Sequence, residues 1–282
     1  MMNRFPRIVA AAYLALFVGV RCEAGQDKSE YTLFKPTPPG DMRSLNSDRP
    51  SVTTGPYTVD AGHLQFEASF LQYTHDYAQG RHADSFDVMP TNCRVGLTSQ
   101  TEIDLLIDPY QNVASYSPAQ TMRFQGFGDT TLQGKLNIWG NDGGASAFGI
   151  ISFAKLPTGA AGISNHHVEG GVILPISVAL TDGLSLAGMA EFSIDRNASN
   201  TGCGWDMTDT LVLTKTLTPS TSVYVEYVGV APIQAGRSFA ASVDLGAAFQ
   251  LNDNLQLDIA GNIGLSKSLP EFTILSGITI RI

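Results

Sequence analysis

Residues 240–265 alternate with a period of two. Val243, Leu245, Ala247 and Phe249 interleave with Ser242, Asp244, Gly246 and Gln250; Leu255, Leu257, Ile259 and Ile263 interleave with Gln256, Asp258 and Asn262. Successive side chains of a strand point to opposite faces, so each run predicts a strand with one apolar and one polar face. Leu251-Asn252-Asp253-Asn254 between them accepts left-handed backbone and predicts a tight antiparallel hairpin. A hairpin of a soluble sandwich is the competing reading. Length argues against it, because about ten residues match a tilted bilayer span and soluble strands run about five to six.

The same unit recurs along the chain. Leu64, Phe66, Ala68 and Phe70 alternate with His63, Gln65, Glu67 and Ser69 in the first predicted strand, and hairpin-like units follow roughly every 35 to 40 residues. Short turns are predicted at 97–101, 140–144, 180–183, 217–220 and 251–254. Longer connections are predicted at 75–84, 111–125, 157–165, 196–204, 231–237 and 266–270. Short and long connections alternate strictly, as in outer-membrane barrels with short periplasmic turns, longer external loops and both termini inside. The predicted fold is therefore all-β, a transmembrane antiparallel up-and-down β-barrel of about twelve strands. Strand 64–73 should pair with 272–282, leaving no edge unpaired.

Strand parity then sorts the faces. Ile103, Leu105, Ile107, Leu132, Leu136, Ile138, Val172, Leu174, Ile176, Val178, Leu184, Leu186, Phe192, Ile194, Val223, Val225 and Tyr227 are expected to face lipid. Glu67, Asp104, Glu191, Asp195, Glu226, Asp244 and Asp258 are expected to line the lumen, against two inward bases, Lys135 and Arg281. Such an excess of acid attracts cations and repels anions. The alternative is a filled barrel in which these acids bond to Thr, Tyr and Arg side chains. Parity is ambiguous over 207–216, where Leu211 and Leu213 compete with Val212 and a row of threonines.

The first sixty residues carry no such pattern. Arg4 and Arg7 precede an apolar run, residues 8–20, and Cys22-Glu23-Ala24 ends on a small residue, so 1–24 predicts a cleaved signal peptide. A lipoprotein signal at Cys22 is the alternative, poorly served by Arg21. Residues 25–60 hold Pro36, Pro38, Pro39, Pro50 and Pro56 and predict a periplasmic segment or plug before a barrel of 61–282. Within it Asp48, Arg49, Pro50 and Tyr57 are the plug candidates, with Arg49 meeting the acidic lumen.

Composition narrows the partners. Charged residues are 15% of the chain, below the usual share of about 25%. Of 17 basic and 26 acidic residues, loss of Arg4, Arg7, Arg21 and Glu23 leaves 14 and 25, a net charge of −11 that argues against nucleic acid. The expected partners are outer-membrane lipid, the barrel-assembly machinery and a small-molecule solute. Cys93 and Cys203 show no metal or redox spacing and, on opposite sides of the predicted topology, should not bridge.

Several stretches carry a further resemblance. Asp48-Arg49-Pro50, Pro56-Tyr57, residues 62–67, Gly128-Asp129-Thr130, residues 139–144, residues 155–159 and residues 170–175 occur in an order that resembles outer-membrane transporters associated with the meta-cleavage pathway of phenol degradation. The resemblance runs over 48–282 and implies a barrel and, through gene context, phenol catabolism.

Candidate chemistry is sparse. His166, His167 and Glu169 resemble a metal set only in composition, because adjacent strand side chains diverge, and no metal or other cofactor is expected. His63, Glu67 and Ser69 share a predicted inward face, but a lipid hydrolase needs an outward Ser and His at the lipid boundary. Asn197-Ala198-Ser199 matches a glycosylation sequon without an envelope context that would use it. The sequence thus points to a non-enzymatic bacterial outer-membrane channel for passive uptake of small, aromatic or hydrophobic solutes. A lipid hydrolase and a structural or adhesive barrel are the alternatives.

Overall fold

The computed structural model describes residues 27–78, 81–118, 120–196, 202–233 and 238–282. The expected signal peptide and the sequon lie outside them, as do parts of the connections after 78, 196 and 233. The described residues form fifteen strands: β1 (Leu64–Ala78), β2 (Arg81–Val88), β3 (Thr91–Gly96), β4 (Thr101–Ile107), β5 (Tyr110–Tyr116), β6 (Thr121–Gly126), β7 (Thr130–Trp139), β8 (Ser146–Leu156), β9 (Glu169–Thr181), β10 (Leu184–Arg196), β11 (Cys203–Thr218), β12 (Thr221–Pro232), β13 (Ala240–Asn252), β14 (Leu255–Gly264) and β15 (Phe272–Arg281).

Twelve of them close a wall. The order runs from β15 back to β7 and then through β4, β3 and β1, and β1 pairs with β15 from Gln65↔Arg281 to His75↔Phe272. Every pairing in the wall is antiparallel. This is the expected transmembrane barrel. Its polarity is inside out relative to a soluble domain. Large apolar side chains such as Leu132, Val225, Leu245, Ile259 and Ile263 are exposed on the outer surface, while Arg94, Glu102, Lys135 and Glu226 are buried within. A lipid bilayer supplies the solvent that such an outer face requires. Ile176 departs from the expected exposure: it keeps its outward parity but is only 1% exposed, set between Gly188 and Phe148 on the neighbouring strands. On β11 parity is settled by Thr210, whose hydroxyl reaches Thr53 inside, so Val212 points inward and Leu211 and Leu213 outward.

The other three strands correct the predicted loops. Residues 75–84 and 111–125, expected as connections, are largely strand: β1 continues upward and pairs with β2, β2 with β5 and β5 with β6. Three wall strands are broken at one level, at Met89-Pro90, Asp108-Pro109 and Phe127-Gly128-Asp129. Met89 has φ 56, uncommon for a side chain of its size, and neither proline offers an N–H to a ladder. Above the breaks the flap ends at β6, the last strand of the sheet order, while β7 pairs with β8 no further than Thr130↔Leu156. The expectation that no edge is left unpaired therefore fails here. The 157–165 connection packs against β6 instead: Ala160 donates its N–H to the Phe127 carbonyl at 2.8 Å, and Gly126 and Gly162 approach Ala160 and the Phe124 ring too closely for any side chain.

Candidate functional site: a strapped lumen

The segment before β1 enters the barrel. Thr32 bridges to Thr98 at the periplasmic rim, a 3-10 turn follows at Pro39–Asp41, and Arg43 anchors the entry by donating to Asp142 at 2.8 and 3.1 Å and to the Ser99 carbonyl at 2.7 Å. Lys28 adds a second contact to Asp142 at 3.0 Å. From there the chain crosses the lumen, Pro-rich and without a strand pattern of its own. A segment that makes no ladder must satisfy its buried backbone groups on side chains, and the wall provides them. Glu226 accepts from the N–H groups of Val52 and Thr53 at 2.8 and 2.7 Å and from the Thr53 hydroxyl. Glu102 accepts from Val59 N–H at 2.6 Å, and Asn137 and Arg94 donate to the carbonyls of Pro56 and Tyr57 at 2.9 Å each.

Charge fixes the strap from two sides. On β14 Asp258 takes both Arg49 Nη2 at 2.7 Å and Nε at 3.1 Å, and Ser69 accepts from Arg49 Nη1 at 2.7 Å. Gly277 makes this possible, since a Cβ there would lie 2.2 Å from Arg49 Nη2. On β1, β3, β4 and β7 Arg94 pairs with Glu67 at 2.7 Å and Glu102 at 2.8 Å, and Lys135 pairs with Glu102 and with Asp48 of the strap at 3.0 Å each. Asp48 also caps the strap's own turn through Gly55 N–H at 2.7 Å. At the rim Arg281 reaches Asp60 at 3.3 Å and the Arg43 carbonyl at 2.8 Å. Buried ions of this kind are tolerable only when paired and hydrogen-bonded.

The structure places the sequence-derived residues as follows. Glu67, Lys135, Asp258 and Arg281 contact the strap or its ion pairs, and Pro50 and Tyr57 lie on it. Asp104 is fully buried between Arg94 and Gln133 on the neighbouring strands, with no hydrogen bond to either carboxylate oxygen among the described residues. Asp244 stands opposite Glu226 in register. Glu191 and Asp195 lie above the strap on β10, where Asp195 accepts from Ser193 at 2.6 Å. Arg94 and Glu102 are among the inward residues that escaped the sequence reading. Their signal was present: Arg94 alternates with Cys93 and Val95, and Glu102 shares parity with Asp104. They change the charge balance, because the acids near β3, β4 and β7 are matched by bases, whereas among the described residues Glu191, Asp195, Glu226 and Asp244 make no ion pair with a base.

One inner patch is apolar. Ile151, Ile173 and Met189 form a buried cluster with Phe153 packed on it, on β8, β9 and β10. Its signal was the run Val172-Ile173-Leu174-Pro175-Ile176, apolar on both faces rather than alternating. The patch reaches the strap at Thr54, whose N–H lies 3.4 Å from the Met189 sulfur, and it begins on β8, which is paired with β7 up to Leu156, the level above which β6 has a free edge. The residues of the two clusters weighed and set aside in the sequence have other partners. His63 is held by the Thr37 carbonyl at 2.8 Å and Ser69 by Arg49, while Glu169 is occupied by Lys155, Asn165 and the Arg196 N–H.

A closed twelve-strand barrel, apolar outside and crossed by its own N-terminal segment, defines a class of outer-membrane-type barrel proteins. Residues 47–282 match the family described as "Putative MetA-pathway of phenol degradation", and the chain belongs to that family. Among solved structures, an outer membrane channel from Pseudomonas putida F1 is similar over 82% of this chain and 100% of its own, at 14% identity and TM-score 0.65. The translocator domain of autotransporter NalP from Neisseria meningitidis is similar over 78% of this chain and 88% of its own, at 13% identity and TM-score 0.51. The NanC porin is similar over 78% and 100%, at 8% identity and TM-score 0.50. These likenesses show the fold. A comparison with curated protein sequences found no match.

Proposed function

We propose that the chain is an outer-membrane channel for passive uptake of small, neutral, apolar solutes, aromatic ones included, which leave the lumen sideways. The observation that carries this reading is the pairing of a lumen strapped from wall to wall with a free edge of β6, above the last β7–β8 pair Thr130↔Leu156, that no strand ladder closes. A solute entering from outside meets the strap below and, beside it, the apolar patch of Ile151, Phe153, Ile173 and Met189 on β8, β9 and β10. Apolar surface favours apolar solutes by roughly 25 cal/mol per Å² removed from water. The unmatched acids Glu191, Asp195, Glu226 and Asp244 disfavour anions such as benzoate. A deletion strain complemented with the unmodified gene should recover growth on an apolar aromatic carbon source. Complementation with Phe153→Ser and Ile173→Ser together, at equal outer-membrane abundance, should recover it poorly while leaving growth on a hydrophilic source unchanged. Equal recovery on the aromatic source would overturn the apolar route.

A further inference from the structure

The strap climbs into the barrel and returns, and beside β1 its two legs leave space. Residues 43–46 rise from the rim anchor at Asp142, 48–55 form the crest, and 57–60 descend to the Asp60–Arg281 pair. Between the legs and the wall lies a cavity of about 190 Å³, lined by Arg43, Asn46, Tyr57, Asp60, Gln65 and Arg281. Ser44 and Asn46 are exposed where they line it, so periplasmic solvent reaches it. A second cavity of about 240 Å³ lies over the crest on the external side, where Arg49 and Thr54 of the strap meet Ser69, Gln72, Asn92 and Gln133 of the wall. Each has room for several waters. Asp60 Oδ1 beside the lower cavity and Asn92 Oδ1 beside the upper are buried without a hydrogen-bond partner among the described residues, which leaves both to solvent.

One layer of side chains divides the two spaces. Gln65 lines the lower cavity and Glu67 the upper, two residues apart on β1 and so separated by about 6.6 Å at ~3.3 Å per residue. The Glu67 carboxylate gathers the donors: Arg94 Nη1 and Gln65 Nε2 at 2.7 Å each, and the Asp48 N–H of the strap at 3.2 and 3.3 Å. Gln65 also donates to the Asn46 carbonyl at 2.8 Å, and the Ser47 and Thr279 hydroxyls meet at 2.8 Å. The layer is dry, with Gln65 and Arg94 1% exposed and Glu67 3%. Against Glu102, Asn137 and Glu226 the strap backbone bonds directly to the wall. Along β1, by contrast, a cavity stands above the contact and another below it.

We propose that the two cavities are the halves of a path along β1 for water and hydrated monovalent cations, and that the Glu67 side chain, held by Gln65 and Arg94, is its gate. The gate moves by side chains alone: when Gln65 and Glu67 swing from the layer the cavities join, and no strand pairing breaks. Arg94 stays compensated during the move, because it keeps Glu102 at 2.8 and 3.2 Å, so opening does not leave a buried charge unpaired. The upper cavity presents Asp48, Glu67 and Asp108 against the base Arg49, an excess of acid that draws cations to the gate and repels anions. The path lies away from the apolar patch on β8 to β10 and stands independently of the uptake reading.

The full chain, carrying Cys93→Ser and Cys203→Ser to remove its own thiols, is reconstituted in a planar bilayer in potassium chloride. Ser44→Cys in the lower cavity should lose at least about half of its conductance on reaction with methanethiosulfonate ethylammonium. Ser222→Cys, which shares the inner face of β12 with Glu226, should lose none. Gln65→Ala thins the layer while leaving Glu67 and Arg94 paired, and should raise the conductance several-fold before any reagent is added. Folding of each variant is checked by its heat-modifiable migration, and the two cysteine arms decide if Gln65→Ala does not fold. Block at Ser222→Cys alone, equal block at both positions, or block at neither overturns the path. Conductance of Gln65→Ala equal to that of its parent overturns the gate, and anion preference in a potassium chloride gradient overturns the choice of cations.

Discussion

Arg94 shows how the interior is held at the scale of one residue. Its guanidinium serves Glu67, Glu102 and the Tyr57 carbonyl, with Asp48 at 3.4 Å. Removing one partner of a buried ionic network costs about 3–5 kcal/mol, because the charges left behind remain desolvated. Arg94→Ala should therefore lower the unfolding free energy in vesicles by roughly that amount, and an unchanged urea midpoint would contradict the network. Arg94→Lys should recover only part of the loss, since an ammonium lacks the planar fork. Parity made Glu67, Asp104 and Lys135 legible in the sequence as inward residues. It could not show that Arg49 would find Asp258, because a strap without periodicity has no register to read, and the partner lies more than two hundred residues away.

At the scale of elements the legible part was the periodic part. Turns and strands from β7 onward were readable because one face meets lipid and the other does not, which writes an apolar and polar contrast into the chain. The flap was misread as loops for the same reason. Residues 73–86 run Tyr-Thr-His-Asp-Tyr-Ala-Gln-Gly-Arg-His-Ala-Asp-Ser-Phe, polar on both faces, as befits strands that rise above the apolar band. The strap has its own anchor at the rim. Burial pushes the Asp142 carboxyl up, but hydrogen bonding and charge from Arg43, and then from Lys28, outweigh it and hold the group below the ordinary carboxylate range. A carboxyl depressed on folding contributes stability above its unfolded value, near 4, and loses it as pH falls through the folded value. Hydrogen exchange of residues 28–43 should thus stay slow at neutral pH and rise only below about pH 4. Asp142→Asn should raise it at neutral pH already; equal protection in the variant would remove Asp142 from the anchor.

At the scale of the whole molecule, outer-membrane barrel, internal strap and the free edge of β6 make one arrangement: a wall closed by hydrogen bonds below, a lumen crossed by ion pairs, and a side that only a loop covers. The excess acid on β10 to β13 should give whatever ionic leak remains a cation preference, weakened when Glu226→Gln and Asp244→Asn are combined; a reversal potential showing anion selectivity in the unmodified protein would contradict this. The strap itself is tested most directly by planar-bilayer conductance of the full chain beside a variant lacking residues 25–48, which loses Lys28, Arg43 and Asp48 and so the rim anchor and one side of the crossing. The unmodified protein should conduct weakly and the deletion several times more, whereas equal conductance would show that the segment does not close the lumen.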